Sequence, residues 1–130
     1  MDMKLELIPI PVTDVDRAKT FYVERLGFVV DVDVAPAAGV RVVQVTPPRS
    51  ACSIGFGTGL DAYHGTPGAI RALHLVVDDI EQARAELISR GVDVDAVIDV
   101  GGGVQYASFA DPDGNTLTLQ EMAWRTGDSF

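Results

Sequence analysis

The chain of 130 residues has one cysteine, one tryptophan, two histidines and only ten lysines and arginines against nineteen acids. Each scarcity excludes something. With Cys52 alone, no disulfide can form within the chain. Cys52 sits in the small and apolar run "ACSIGFG" with no adjoining cation to lower its pKa, so it reads as a small buried hydrophobe, not a reactive thiol. The formal charge is −9 and the few basic residues are scattered. Binding to nucleic acid or an anionic membrane needs a basic stripe that displaces counterions, so neither is an expected partner. No apolar run reaches the roughly 18 residues of a membrane-crossing helix. The start, "MDMKLELIPI", has an acid beside its one lysine and no small-residue cleavage site, so the expected location is the cytoplasm.

Familiar chemical signatures are also missing. Gly101–Gly103 lack GxGxxG spacing and a following helix, so they read as a turn, not a phosphate cradle. Asp111 and Asp113 in "DPDGN" lack the full calcium-loop spacing and read as turn formers. No Ser/His/Asp triad is set by spacing. Apolar residues still make up 47% of the chain and charged ones 22%, enough for one packed domain and against disorder.

The chain is written twice. "IPIPVTDVDRAKTFYVER" (Ile8–Arg25) aligns with "LHLVVDDIEQARAELISR" (Leu73–Arg90) at an offset of 65 residues, half the length. Val12/Val77, Asp14/Asp79, Ala18/Ala83 and Arg25/Arg90 are identical. Each copy predicts a strand, a helix start, a helix and a closing glycine. Thr13 with Asp16, and Asp78 with Glu81, have capping-box spacing. Helices are expected over about Val15–Leu26 and Ile80–Arg90, ended by Gly27 and Gly91. Three further strands follow in each copy: Phe28–Val34, Val40–Thr46 and Cys52–Phe56, then Val92–Ile98, Val104–Ala110 and Thr116–Met122. The expected layout is module one at 4–57, a Gly-rich linker at 58–69, module two at 70–122 and a polar tail at 123–130, in which Trp124 could pack back.

One short stretch stands out within the first copy. "LIPIPVTD" looks like a β-branched strand, yet Pro9 and Pro11 sit on one face of it. Proline donates no ladder hydrogen bond and belongs on an edge strand. By the repeat, Pro9 stands where His74 stands in the second copy.

"FYVERLGF", "LHLVVDDIEQARAEL" and above all "FADPDGNTLTLQE" resemble the vicinal oxygen chelate superfamily of glyoxalases, bleomycin-resistance proteins and dioxygenases. The resemblance implies an α+β fold: two βαβββ modules with curled mixed sheets forming a cup that takes a small molecule or a metal. It also implies one His, Glu or Gln metal ligand from the first and last strand of each module. Here those positions hold Pro9, His74 and Thr118, with only Cys52 or Ser53 on offer in the remaining strand. Threonine is a poor ligand for such ions. Glu121 should face the helix layer with Leu117 and Leu119, unless a bulge turns it toward His74. The favoured expectation is therefore no cofactor. The alternative is one divalent metal (Mn, Fe, Ni or Zn) at a displaced site of His74 and Glu121.

The expected ligand-binding residues are Pro9, Gln44, His74, Tyr106, Ser108, Thr118 and Gln120, with Phe28, Phe56 and Trp124 as apolar walls or core. His74 is also the candidate catalytic acid/base; the other histidine, His64, reads as a loop residue. The leading functional expectation is a homodimeric protein of bleomycin-resistance type that binds a partly apolar or cationic small molecule. The alternative is a metal-dependent or His74-dependent lyase, isomerase or extradiol-type dioxygenase.

Overall fold

The computed structural model describes residues 1–125. The last residues of the predicted tail, 126–130, lie outside the described residues. The chain divides into two compact units, one spanning Met1–Ala69 and the other beginning at Ile70. The boundary falls at the end of the predicted linker.

The first unit runs β1 (Leu7–Pro9), α1 (Val15–Lys19), a π-helical turn (Thr20–Arg25), β2 (Val29–Ala37), β3 (Val40–Thr46) and β4 (Ser53–Thr58). A short 3-10 turn, Asp61–Tyr63, follows. The second runs β5 (Leu73–Val76), α2 (Ile80–Ser89), β6 (Ile98–Gly101), β7 (Val104–Ala110) and β8 (Thr116–Met122). Each unit holds one four-stranded mixed sheet, in the orders β1-β4-β3-β2 and β5-β8-β7-β6. In each, the first strand pairs parallel to the last while the other pairings are antiparallel. This is the expected α+β, twice-βαβββ architecture, and neither sheet closes on itself. Among the described residues, no helix is long and apolar enough to cross a membrane.

Helix spacing fixes what is buried. Val15, Ala18 and Tyr22 lie on one face of the first helical segment, and Tyr22 is fully buried. Its ring packs 5.7 Å from that of Phe28 and 5.8 Å from that of Phe56. Buried aromatic contacts of this kind add to the area term of the core. Phe28 and Phe56 are therefore core residues. The predicted helix has the right extent but changes type midway. Leu26 N–H reaches back five residues to Phe21 C=O at 3.1 Å, and Gly27 (φ 80°) then ends it.

The helix caps lie one residue beyond the predicted ones. Asp14 accepts from Arg17 N–H at 3.1 Å and Asp79 from Gln82 N–H at 3.0 Å. Val15 and Ile80 are the first helical residues, as expected, and Asp16 and Glu81 complement the N-terminal dipole. The expected strand Val92–Ile98 is also corrected: β6 begins only at Ile98. The Arg84 side chain takes the carbonyls of Asp95 (2.8 Å) and Val94 (3.1 Å), while Val92 and Val94 bury their side chains. One backbone bond to β7 remains, from Asp95 N–H to Ser108 C=O at 2.9 Å, while apolar packing and the Arg84 donor hold the rest of the segment.

Two polar clusters position the sheets. In "DPDGN", the buried Asp111 accepts from Asp113 N–H, Asn115 N–H and Asn115 Nδ2, each at 2.9 Å. Asn115, with no exposed surface, accepts from Ile70 N–H through Oδ1 at 3.1 Å. Thr116 then receives Ala72 N–H on Oγ1 at 2.7 Å. These bonds hold the start of β5 beside the start of β8, and they leave Asp111 a turn builder. In the first unit, Asp33 accepts from Lys19 Nζ (2.7 Å) and from both Nε and Nη2 of Arg41 (3.1 Å each), and Arg41 also reaches Asp16 at 2.6 Å. The cluster ties α1 to β2 and β3.

Two outcomes are expected. Asn115→Ala removes the amide donor to Asp111, which keeps its two backbone donors, and takes the acceptor from the part-buried Ile70 N–H. It should cost about 1–3 kcal/mol in a urea-unfolding measurement. The Arg41 and Lys19 hydrogen bonds hold the Asp33 carboxyl at about 2, below the ordinary 3.8. A depressed folded-state pKa contributes stability that is complete above the unfolded value and is lost as pH falls from about 4 to about 2. Asp33→Asn should therefore be less stable than the parent at neutral pH by at most about 1 kcal/mol, since a half-exposed pair is screened. Urea midpoints taken at falling pH should show that gap closing in this range.

Candidate functional site

Alternation assigns two faces to each sheet. In the second unit, Leu117, Leu119, Ala107 and Phe109 are buried on the face that α2 covers. The other face carries His74, Thr118 and Ser108 in one cross-strand row, and Val76, Gln120, Tyr106 and Ile98 in the next. Five of the predicted ligand-binding residues thus come together on one face.

The chemistry of that face is specific. Ala72 adopts φ 58°, a left-handed conformation that a residue with a Cβ rarely takes. Its carbonyl lies 2.6 Å from Nδ1 of His74. A carbonyl only accepts, so Nδ1 carries the proton in the neutral imidazole and Nε2 keeps an unshared lone pair. His74 is exposed, and its ring meets Tyr106 edge-on at 5.5 Å and 88°. Gln120 Nε2 donates toward the Tyr106 hydroxyl at 3.5 Å, which leaves that O–H to donate elsewhere. The Ser108 and Thr118 hydroxyls bond each other at 3.1 Å, and Thr118 is buried. The face therefore offers an acceptor at His74, a donor at Tyr106 and the Gln120 carbonyl, set among Val76 and Ile98.

In the first unit the corresponding face carries Leu7, Pro9, Gly55, Gln44 and Val32. Ile10 N–H donates to Gly55 C=O and Ser53 N–H to Glu6 C=O, each at 2.8 Å. By alternation, the nitrogens of Pro9 and Pro11 point off the sheet edge, where no ladder donor is needed. Gln44 is occupied with Glu6, donating Nε2–H to Oε1 at 2.9 Å. The partner of Pro9 on the last strand is Gly55, not Cys52 or Ser53. Ser53 instead bonds Thr46 at 2.6 Å, and Thr46 in turn donates to Asp31. Burial, then the charge of Glu6, pushes the Cys52 thiol up from its ordinary pKa.

The donor set does not fit the divalent ion that the fold suggests. The first-to-last strand pairs are Pro9 with Gly55 and His74 with Thr118, which supply one imidazole and no carboxylate. Glu121 does not join His74. It projects from the helix-covered face and accepts the first N–H of α2, from Ile80, at 2.9 Å. Among the described residues, no group of three His, Cys, Asp or Glu converges.

Two residues at these faces carry no clear signal in the sequence. Ala72 gave no signal, because its backbone strain is set by its neighbours. Tyr63, in the 3-10 turn, lies over the outer face of β4: a Cβ built on Gly55 or Gly57 would stand 3.5 or 2.9 Å from its ring. The "GFG" spacing, which empties one face of β4 at period two, was the available clue. His64 is exposed beside it, and Trp124 is exposed beyond β8 near Gly103.

Comparison with known proteins agrees with this geometry. The family model described as Glyoxalase/Bleomycin resistance protein/Dioxygenase superfamily matches residues 4–119. TnmS3, an antibiotic binding protein from Streptomyces sp. CB03234, is 34% identical, with 94% of this chain and 98% of that chain covered and a TM-score of 0.80. A glyoxalase/bleomycin resistance protein from the same strain is 35% identical, over 89% of this chain and 98% of that one, with a TM-score of 0.74. A superfamily member from Sphaerobacter thermophilus DSM 20745 is 29% identical, over 92% and 98%, with a TM-score of 0.77. No curated protein matches the sequence. The chain belongs to the glyoxalase, bleomycin-resistance protein and dioxygenase superfamily.

Proposed function

We propose that this protein is a metal-independent binding protein of the bleomycin-resistance type, which sequesters a partly apolar or cationic small molecule. The observation that carries the reading is the second unit's outer face. There His74, Tyr106 and Gln120 offer hydrogen-bonding groups in fixed orientations among apolar side chains. A site of this design binds by removing apolar surface from water and selects through a few placed polar groups. The antibiotic-binding function in the name of the relative TnmS3 supports the same class of guest. Pro9 and Gln44 belong to the reading through the equivalent face of the first unit. The working assembly is a homodimer in the cytoplasm, with no nucleic acid or membrane partner.

A second reading is favoured by one detail. Fixing Nδ1 of His74 to Ala72 leaves Nε2 poised to take or give a proton, as a general acid/base must. The protein would then be a His74-dependent lyase or isomerase of the same superfamily.

One titration separates the two. A panel of neutral and cationic aromatic natural products, screened by thermal shift and then calorimetry, should yield a saturable ligand that is recovered unchanged. His74→Ala should weaken it about tenfold, a loss of about 1.4 kcal/mol, with little change in thermal midpoint because the ring is exposed. Absence of any saturable ligand would sink the binding reading, and turnover of the ligand that His74→Ala abolishes would establish the enzyme instead.

A further inference from the structure

The outer face of the first unit is occupied by the protein itself. Gly55 and Gly57 leave β4 without side chains there, and Gly55 is buried. Leu7 and Tyr63 cover it. A Cβ on Gly55 would stand 3.0 Å from Leu7 Cδ1 and 3.5 Å from Tyr63 Cε1, with no backbone among these nearest atoms. At Gly57 the Arg41 carbonyl also intrudes, at 2.0 Å, so no side chain can enter there in any case. The two glycines therefore form a flat strip, floored by backbone and bounded by Leu7, on which one aromatic ring lies. Burial raises the pKa of the Tyr63 hydroxyl, as expected for a ring drawn out of water.

The segment that carries Tyr63 is a short self-contained turn. Its turn is closed by its own bonds, Tyr63 N–H to Leu60 C=O and His64 N–H to Asp61 C=O, each at 3.1 Å. Gly59 (φ 78°) and Gly65 (φ 153°) flank it. Gly65 packs against the Pro11 ring, where a Cβ would meet Cγ at 2.9 Å.

We propose that Tyr63 is an internal occupant of an aromatic-sized seat on the Gly55–Gly57 strip, and that a flat aromatic guest takes the seat by displacing it. The guest trades one ring for another on the same backbone floor, so its net affinity is lowered by whatever holds Tyr63 in place. The idea rests on the reading that the outer sheet faces take small molecules, but it concerns a different unit from His74.

The planar cationic dye proflavine serves as the probe, followed by fluorescence anisotropy. Tyr63→Ala should bind it at least threefold more tightly than the parent, and Tyr63→Phe should bind like the parent, because the ring and not the hydroxyl fills the seat. Adding Gly55→Val to Tyr63→Ala should abolish the gain. Unchanged or weaker binding by Tyr63→Ala would overturn the proposal and make Tyr63 a bystander or a fixed wall. Hydrogen exchange on the unaltered protein gives a check that needs no variant: saturating proflavine should speed exchange across residues 60–66, and protection there would overturn displacement. His74→Ala separates this proposal from the functional reading. A gain on Tyr63→Ala that survives His74→Ala supports the seat even if the His74 face takes no guest. Proflavine binding lost with His74→Ala but indifferent to Tyr63 removes the seat and spares the other face.

Discussion

Everything placed on the outer faces depends on one pairing, repeated in each unit: the first strand lies parallel to the last. It is the least local contact in each sheet. Leu73 pairs with Leu117 and Leu7 with Ser53, across an intervening helix and two strands. The strands involved are short, three residues in β1 and four in β5, so ladder bonds alone hold them weakly. In the second unit the Asp111–Asn115–Ile70 network supplies the missing restraint at the open end of the pair. In the first, the backbone bonds from Ser53 to Glu6 and from Ile10 to Gly55 clamp β1 on either side of Pro9. A slip of one residue in either pair would turn His74 or Pro9 into the helix layer.

This dependence explains which polar residues remain for binding. Asp111, Asn115, Glu121 and Asp33 all look chemically capable in the sequence, yet each is engaged in holding an element in place. Asn115 and Glu121 satisfy backbone N–H groups at the start of β5 and α2, and Asp33 anchors the first helix. His74, Tyr106 and Gln120 differ in that part of their hydrogen-bonding capacity points outward. The strain at Ala72 belongs to the same arrangement. A left-handed residue costs on the order of 1 kcal/mol, and here its carbonyl orients the exposed imidazole.

Much of this was legible in the chain. The 65-residue repeat gave the two βαβββ units, and the glycines at 27 and 91 gave the helix ends. Strand alternation put His74, Tyr106, Ser108, Thr118 and Gln120 on one face and Glu121 on the other. What escaped depends on groups distant in sequence. Arg84 takes the carbonyls of residues 94 and 95 and leaves a single backbone bond to β7 there, so the β-branched run forms no regular strand. The caps moved from Thr13 and Asp78 to Asp14 and Asp79, because adjacent residues of similar capping ability differ only in backbone geometry. Tyr63 is not legible within the linker, because a loop ring that fills a face left by two glycines shows no periodicity of its own. Gly55 opposite Pro9 follows only from strand register, where the sequence offered Cys52 or Ser53.

The prolines of β1 carry a consequence beyond the face they line. A sheet edge is an invitation to further strands, because its outward N–H groups await acceptors. At Pro9 and Pro11 those donors do not exist, so a neighbouring backbone that approached this edge would find carbonyls without the matching N–H groups. The edge thereby ends the sheet chemically as well as spatially. A short apolar strand that would otherwise recruit other chains, in the folded protein or during synthesis, is made safe by these two prolines.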